Sequence, residues 1–252
     1  MWLIDFFAMK FNKLTKSAFL ILNSTFLIMG CRPQFTAEEI IAKSIEQHGG
    51  QVLDTATIEF DFREIHYRAT HNNGEYRYER WYRDSIHDVL SNEGFTRYIN
   101  DRKVDLNEEE KDKYSNSVNS VIYFALLPYK LDDPAVNAQL IGEASIEGED
   151  YYEIKVTFDK QGGGSDYQDE FAYWINKETF IMDYLAYLYH TDEGGARFRS
   201  VYNQRRINGI LLADYKNFKG PFPYPIVKMD SLFRQNELEL LSEIELRNVV
   251  IK

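Results

Sequence analysis

The stretch Glu75-Tyr-Arg-Tyr-Glu-Arg-Trp-Tyr-Arg83 alternates without a break. Tyr76, Tyr78, Arg80 and Tyr82 fall on one face at period two, and Glu75, Arg77, Glu79, Trp81 and Arg83 fall on the other; that periodicity is a strand's, not a helix's. Upstream, Ile58, Phe60 and Phe62 alternate with Thr57, Glu59 and Asp61, and the turn His71-Asn-Asn-Gly74 leads into the stretch. Downstream, Ser85–Leu90, Phe95–Ile99 and Arg102–Leu106 read as further short strands, with turns at Asn92-Glu-Gly94 and Asn100-Asp101. Short alternating runs joined by turn residues predict an antiparallel meander.

Outside this meander two helices stand out. Thr36 with Glu39 three residues on has the form of a capping box, and Ile40, Ile41, Ser44, Ile45 and His48 follow at helical spacing before Gly49-Gly50. Glu108 to Lys113 interrupts with charge, and Tyr114–Leu127 reads as a second helix, apolar in its second half and stopped by Pro128. Strands resume at Ala138–Ala144, Tyr151–Phe158, Asp169–Ile175, Thr179–His190, Arg197–Ile207 and Leu211–Phe218, with a hairpin loop at Gly162–Gly164. A short helix at Ser231–Asn236 and a last strand at Glu239–Val250 close the chain. The expected class is mainly β (α+β), with about ten antiparallel strands in one domain over 36–252.

Composition narrows the function. The 252 residues carry a formal charge of -11, which argues against nucleic acid, because binding a phosphate backbone needs a positive surface. With 44% hydrophobic and 15% aromatic residues the chain is not disordered, and 18 Tyr and 17 Phe suit a pleated surface. A single cysteine excludes a disulfide framework and a multi-cysteine zinc site. That cysteine is placed informatively. Lys10, Lys13 and Lys16 form a basic region, an apolar run follows from Ser17 to Met29, and Ile28-Met29-Gly30-Cys31 resembles a bacterial lipobox. The reading is a signal peptide over 1–30, with translation from Met9 fitting the basic region best, then a lipidated Cys31 and a short tether to Phe35. Removing 30 residues that hold three lysines and one aspartate leaves 222 residues at -13. Arg32, in place of an aspartate that favours inner-membrane retention, points to the outer membrane with the domain facing the periplasm.

The layout of Thr36–Gly50, the meander that follows and the run Tyr173-Trp-Ile-Asn-Lys-Glu-Thr179 resemble the lipoprotein carrier LolA and its receptor LolB. The segment Asn119-Ser-Val-Ile-Tyr-Phe-Ala-Leu-Leu-Pro128 and the hairpin at Gly162–Gly164 resemble an uncharacterised family of bacterial envelope lipoproteins. The LolA/LolB resemblance implies a curved sheet or half-open β-barrel with the N-terminal and mid-chain helices packed against its concave side. It also implies an interior arginine near an acyl-chain cavity, for which Arg80, among Tyr76, Tyr78 and Tyr82, is the candidate. Tyr123, Phe124, Leu127 and Tyr129 around the apolar helix complete the candidate ligand site. Two alternatives stay open. The Tyr and Arg side chains can cover each other on a solvated face, with Trp81 marking the core instead, and the apolar helix can be core rather than lid.

The expected ligand is an acyl chain, a lipid or a lipidated partner. The alternatives are a lipoprotein that binds protein or glycan through a Tyr-rich face and, more weakly, an envelope hydrolase. His48, His66, His71, His87 and His190 show no metal-ligand spacing, and no nucleophile elbow accompanies His87-Asp88 or His190-Thr191-Asp192. The acidic groups Glu147/Glu149/Asp150 and Asp166/Asp169/Glu170 lack calcium-loop spacing. No cofactor and no metal are expected, and the oligomeric state is open.

Overall fold

The computed structural model describes residues 35–161, 167–190 and 193–252. The signal segment, Met9, Cys31, Arg32 and most of the tether lie outside the described residues, as do Gly162–Gly164, Asp166, Thr191 and Asp192. Two seven-stranded antiparallel sheets organise the rest. The first holds β1 (Thr57–Phe62), β2 (Ile65–Asn72), β3 (Glu75–Tyr82), β4 (Ile86–Ser91), β5 (Gly94–Ile99) and β6 (Arg102–Val104). Its turns are tight: Asn73-Gly74 has both residues at positive φ, as the two-residue turns that match strand twist require. The second sheet holds β7 (Val136–Ile146), β8 (Glu149–Phe158), β9 (Glu170–Asn176), β10 (Met182–Tyr189), β11 (Gly195–Ile207), β12 (Ile210–Gly220) and β13 (Glu239–Ile244). The last strand, β14 (Arg247–Ile251), returns to the first sheet beside β1.

The chain end therefore differs from the single strand expected at Glu239–Val250. Its first half pairs with β12 and its second with β1, so the bend at Glu245-Leu246 joins the two sheets. Asp214 holds that bend, accepting from the Leu246 amide at 2.9 Å, while Arg205 donates to the Leu246 carbonyl. Among the described residues there are fourteen strands where about ten were expected; the run before Gly74 is two strands in place of one, and so is the chain end. Thr179–His190 is also shorter than read. Asn176 accepts from the amides of Glu178 and Thr179 and keeps the chain turning until Met182.

The sheet is open between β6 and β7, and helix α2 (Glu108–Leu126) makes the connection between them. It starts six residues before the expected Tyr114. Asn107 and Glu110 form a capping box, and Glu108, Glu109 and Glu110 lie on the positive end of the helix dipole, so the acidic run starts the helix and does not precede it. Helix α1 (Ala37–His48) has the expected Thr36–Glu39 box, with bonds of 2.9 and 3.2 Å. Both helices lie on the concave side. Val118 and Ile122 of α2 meet Ile58, Phe60, Tyr67 and Ala69 of the first sheet. Ile40 and Ile41 of α1 meet the Ile154, Tyr173 and Leu185 face of the second. The outer face of the second sheet is covered by helix α3 (Met229–Arg234), two residues earlier than expected, against Trp174, Tyr184 and Phe198. Burial from both sides explains why β9 reads as an unbroken apolar run. Among the described residues no helix is long and apolar enough to cross a membrane.

Candidate functional site

The even residues of β3 point inward. Tyr76 and Tyr78 face α2, while Trp81 stands outside, stacked on His87 at 4.5 Å and beside His66 at 5.5 Å. The alternation already sorted these side chains; the helix decides which set is concave. Below α2 the two sheets diverge and leave a half-open cleft of about 570 Å³. Tyr76 and Tyr78 form one wall, Tyr123 and Phe124 the roof, and Phe158, Phe171 and Tyr187 of the second sheet the far wall. Ile122, Leu126 and Val136 line it too, as do Asn119, Ser120, Lys130 and Asp133, so the lining mixes aromatic, aliphatic and polar side chains.

The phenols are tied down. Tyr123 hydrogen-bonds to the Tyr173 hydroxyl at 3.2 Å, Tyr129 donates to Asp54 at 3.1 Å, and Tyr78 pairs with His71 Nε2 at 3.0 Å. Burial pushes the Tyr123 hydroxyl up to about 12, and raises Tyr78 and Tyr129 further. At neutral pH these groups stay protonated and act as fixed polar contacts rather than nucleophiles. Burial also raises the Asp133 carboxyl, against the opposing charge of Lys130.

Of the eight expected ligand residues, Tyr76, Tyr78, Tyr123, Phe124 and Tyr129 line the cleft. Arg80, Tyr82 and Leu127 do not. Leu127 packs into the core between α1 and the second sheet. Arg80 gives its Nε to Asp88 at 2.7 Å and its Nη1 to Ser117 of α2 at 2.7 Å. Arg97 grips the same carboxylate at 2.6 and 2.9 Å and also donates to Tyr82. Arg80 is thus neither on a solvated face nor on the cleft: it is buried and paired, and fastens α2 to the sheet. His87 and Asp88 are sequence neighbours on a strand and point to opposite sides, His87 to Glu79 at 3.0 Å on the outer face. Among the described residues no three His, Cys, Asp or Glu side chains are placed so that they could hold a metal ion.

The sequence reading passed over the second-sheet wall, Phe158, Phe171 and Tyr187, and also Arg199. Arg199 sits on the inner face of β11 over the Phe124 ring at 4.1 Å. The available signal was the alternation of Arg197, Arg199 and Val201 on one face, which put an arginine in line with apolar residues.

Two histidines make the fold acid-sensitive. Burial lowers His48 to about 4, with Arg206 adding to the effect and the bond to the Ser44 carbonyl opposing it. Burial likewise lowers His71 to about 4, with Lys130 adding to it. On the outer face of the second sheet, Glu153 is raised to about 7 by burial and by repulsion from Asp230. As pH falls from 6.5 to 4 the unfolded chain takes up two protons that the folded histidines refuse, so stability falls. Glu153 works the other way, since the folded chain holds its proton between pH 4.5 and 7. Where the windows of these three groups overlap their net is one proton, and their joint contribution to stability should fall by about 1.4 kcal/mol per pH unit of acidification. Glu153→Gln removes the opposing group and should double that slope. Urea midpoints at two pH values within the overlap check this; an unchanged slope would show that Glu153 titrates normally.

Solved structures with a similar course of chain include a LolA superfamily protein from Nitrosomonas europaea and a DUF1329 family protein from Desulfovibrio piger. The first is 12% identical, with 87% of this chain and 92% of that one covered, at a TM-score of 0.49. The second is 14% identical, with 82% and 90% covered, at 0.49. No curated protein matches the sequence. Residues 16–246 match a family described as a family of unknown function, DUF6503, and the chain belongs to that family.

Proposed function

We propose that the chain is a lipid-anchored protein of the bacterial envelope that binds a hydrophobic ligand, an acyl chain or a lipidated partner, in the cleft under α2. The observation that carries the proposal is the cleft itself: about 570 Å³, open on one side, walled by aromatic rings from both sheets and α2, with polar groups among them. That volume and mixed lining suit a drug-sized or chain-like amphiphile. The basic region, apolar run and Cys31 at the amino terminus support the anchor, and Arg32 supports the outer membrane.

Ala135 lines the cleft, and Ala135→Trp would fill it from the wall. The full chain, held in amphipol, is expected to bind a fluorescent acyl probe. Ala135→Trp should weaken that binding by about tenfold or more, since excluding a few methylenes removes more than 1.4 kcal/mol. Absence of probe binding to the native chain would overturn the proposal. A second reading, partner binding through the outer face of the first sheet, draws on the ladder His66–Trp81–His87–Tyr98 across four strands. Trp81, His87 and Tyr98 are engaged with one another by stacking, so the cleft is the better site.

A further inference from the structure

Arg199 is a buried cation without a counter-charge. It is 8% exposed and forms no ion pair among the described residues. The other buried arginines, Arg80 and Arg97, share Asp88. The Nη2 of Arg199 donates to the Tyr187 hydroxyl at 3.1 Å, and its Nε has no partner among the described residues. Its charge rests on the faces of Phe124, Tyr187 and Tyr215 at 4.1, 5.2 and 5.9 Å. Carboxylates in the same region are used elsewhere. Asp214 accepts from Asn203, Leu246 and Arg205, and Asp183 accepts from Tyr151 and Gln204. Aromatic faces offset only part of the cost of keeping a guanidinium from water, and an orphan N–H adds to it.

This cation borders a second pocket of about 230 Å³, distinct from the cleft. Phe62, Val121, Ala125, Ile244 and Leu246 make most of its remaining wall. Ser120, Phe124 and Tyr187 belong to both spaces, so the Phe124 ring that covers Arg199 also divides pocket from cleft. At about 30 Å³ per water-sized group, the pocket holds on the order of eight heavy atoms, enough for a small head group and the first methylenes of a chain.

We infer that Arg199 is the head-group site of the ligand, taking the anionic end, carboxylate or phosphate, of an amphiphile whose hydrocarbon continues past Phe124 into the cleft. The inference rests on the cleft being an acyl-chain site and names the chemistry of the other end. A guanidinium suits the paired oxygens of either anion, and both supply the missing counter-charge; a neutral head does not.

The test is displacement of the fluorescent acyl probe from the full chain in amphipol by dodecanoate, dodecyl phosphate and dodecanol at neutral pH. At least one anion should displace it at about tenfold lower concentration than dodecanol, the margin of one charge-assisted hydrogen bond, and which anion does so identifies the head. Arg199→Gln should erase that margin and leave dodecanol unchanged, and Arg199→Lys should keep part of it. Arg199→Met, apolar and similar in volume, should give the same loss if the glutamine variant melts early. Equal displacement by all three competitors, or a preference that survives Arg199→Gln, overturns the inference while leaving the cleft reading intact. Failure of the probe and all competitors to bind overturns both.

Discussion

Asp88→Ala is expected to destabilise the fold by about 3–5 kcal/mol, the range for removing one side of a buried ion pair. Asp88 is 0% exposed and carries three charge-assisted bonds, one from Arg80 and two from Arg97. One carboxylate serves two guanidinium groups, and the surplus positive charge lies against Tyr114 at 3.4 Å and Tyr82 at 5.1 Å. Without Asp88 two cations face each other in the core, beneath the helix that Arg80 holds through Ser117. Urea unfolding measures the loss. The pairing, not the volume, is at issue, so replacing Asp88, Arg80 and Arg97 together with methionine should restore most of the stability. A loss below about 1 kcal/mol for Asp88→Ala, the scale of an exposed pair, would contradict the burial of this group.

The second large effect lies at the joint between the sheets. Asp214, 2% exposed, binds the Leu246 amide at 2.9 Å, Asn203 at 2.6 Å and Arg205 at 3.1 Å. Asp214→Ala orphans a buried amide and frees a half-buried guanidinium, and should cost about 3 kcal/mol. Asp214→Asn keeps an acceptor for Leu246 but loses the charge and the acceptor for Asn203, so about 2 kcal/mol is expected, because Arg205 is partly screened by solvent. Hydrogen exchange separates local from global effects. Asp214→Ala should speed exchange first in β14, which among the described residues pairs with β1 alone. Uniform acceleration across both sheets would show that the joint has no local role.

Much of this architecture was legible because its signals are local. The Thr36–Glu39 box, the Asn-Gly turn before Glu75 and the two faces of β3 each depend on residues close in sequence, and each formed where read. Five of the eight expected ligand residues reached the cleft for the same reason: two sit at period two on one strand and two on one helix turn. The start of α2 was legible too, in Asn107 and Glu110, but the density of charge after it read as a break.

Arg80 and Arg199 mark where local reading ends. Both stand on strands among aromatic side chains, and by period alone either suits an interior cation. Cross-strand register separates them. Arg80 lies opposite Asp88 on β4, whereas Arg199 lies between Leu185 and Asn217. One acquires a carboxylate and becomes a fastener for α2; the other acquires none and is left over an apolar pocket.

By itself the sequence determined most of the strands, the division of their side chains between two faces, the caps of α1 and the acidic, aromatic character of the domain, since period, turn chemistry and composition act over a few residues. Only the tertiary structure decided that the chain end bends between β13 and β14 to join two sheets, that α2 makes the tyrosine face of β3 concave, and which buried arginine keeps its charge unpaired. Those outcomes depend on which strand lies next to which and in what register, and the contacts that set them link residues far apart in the chain.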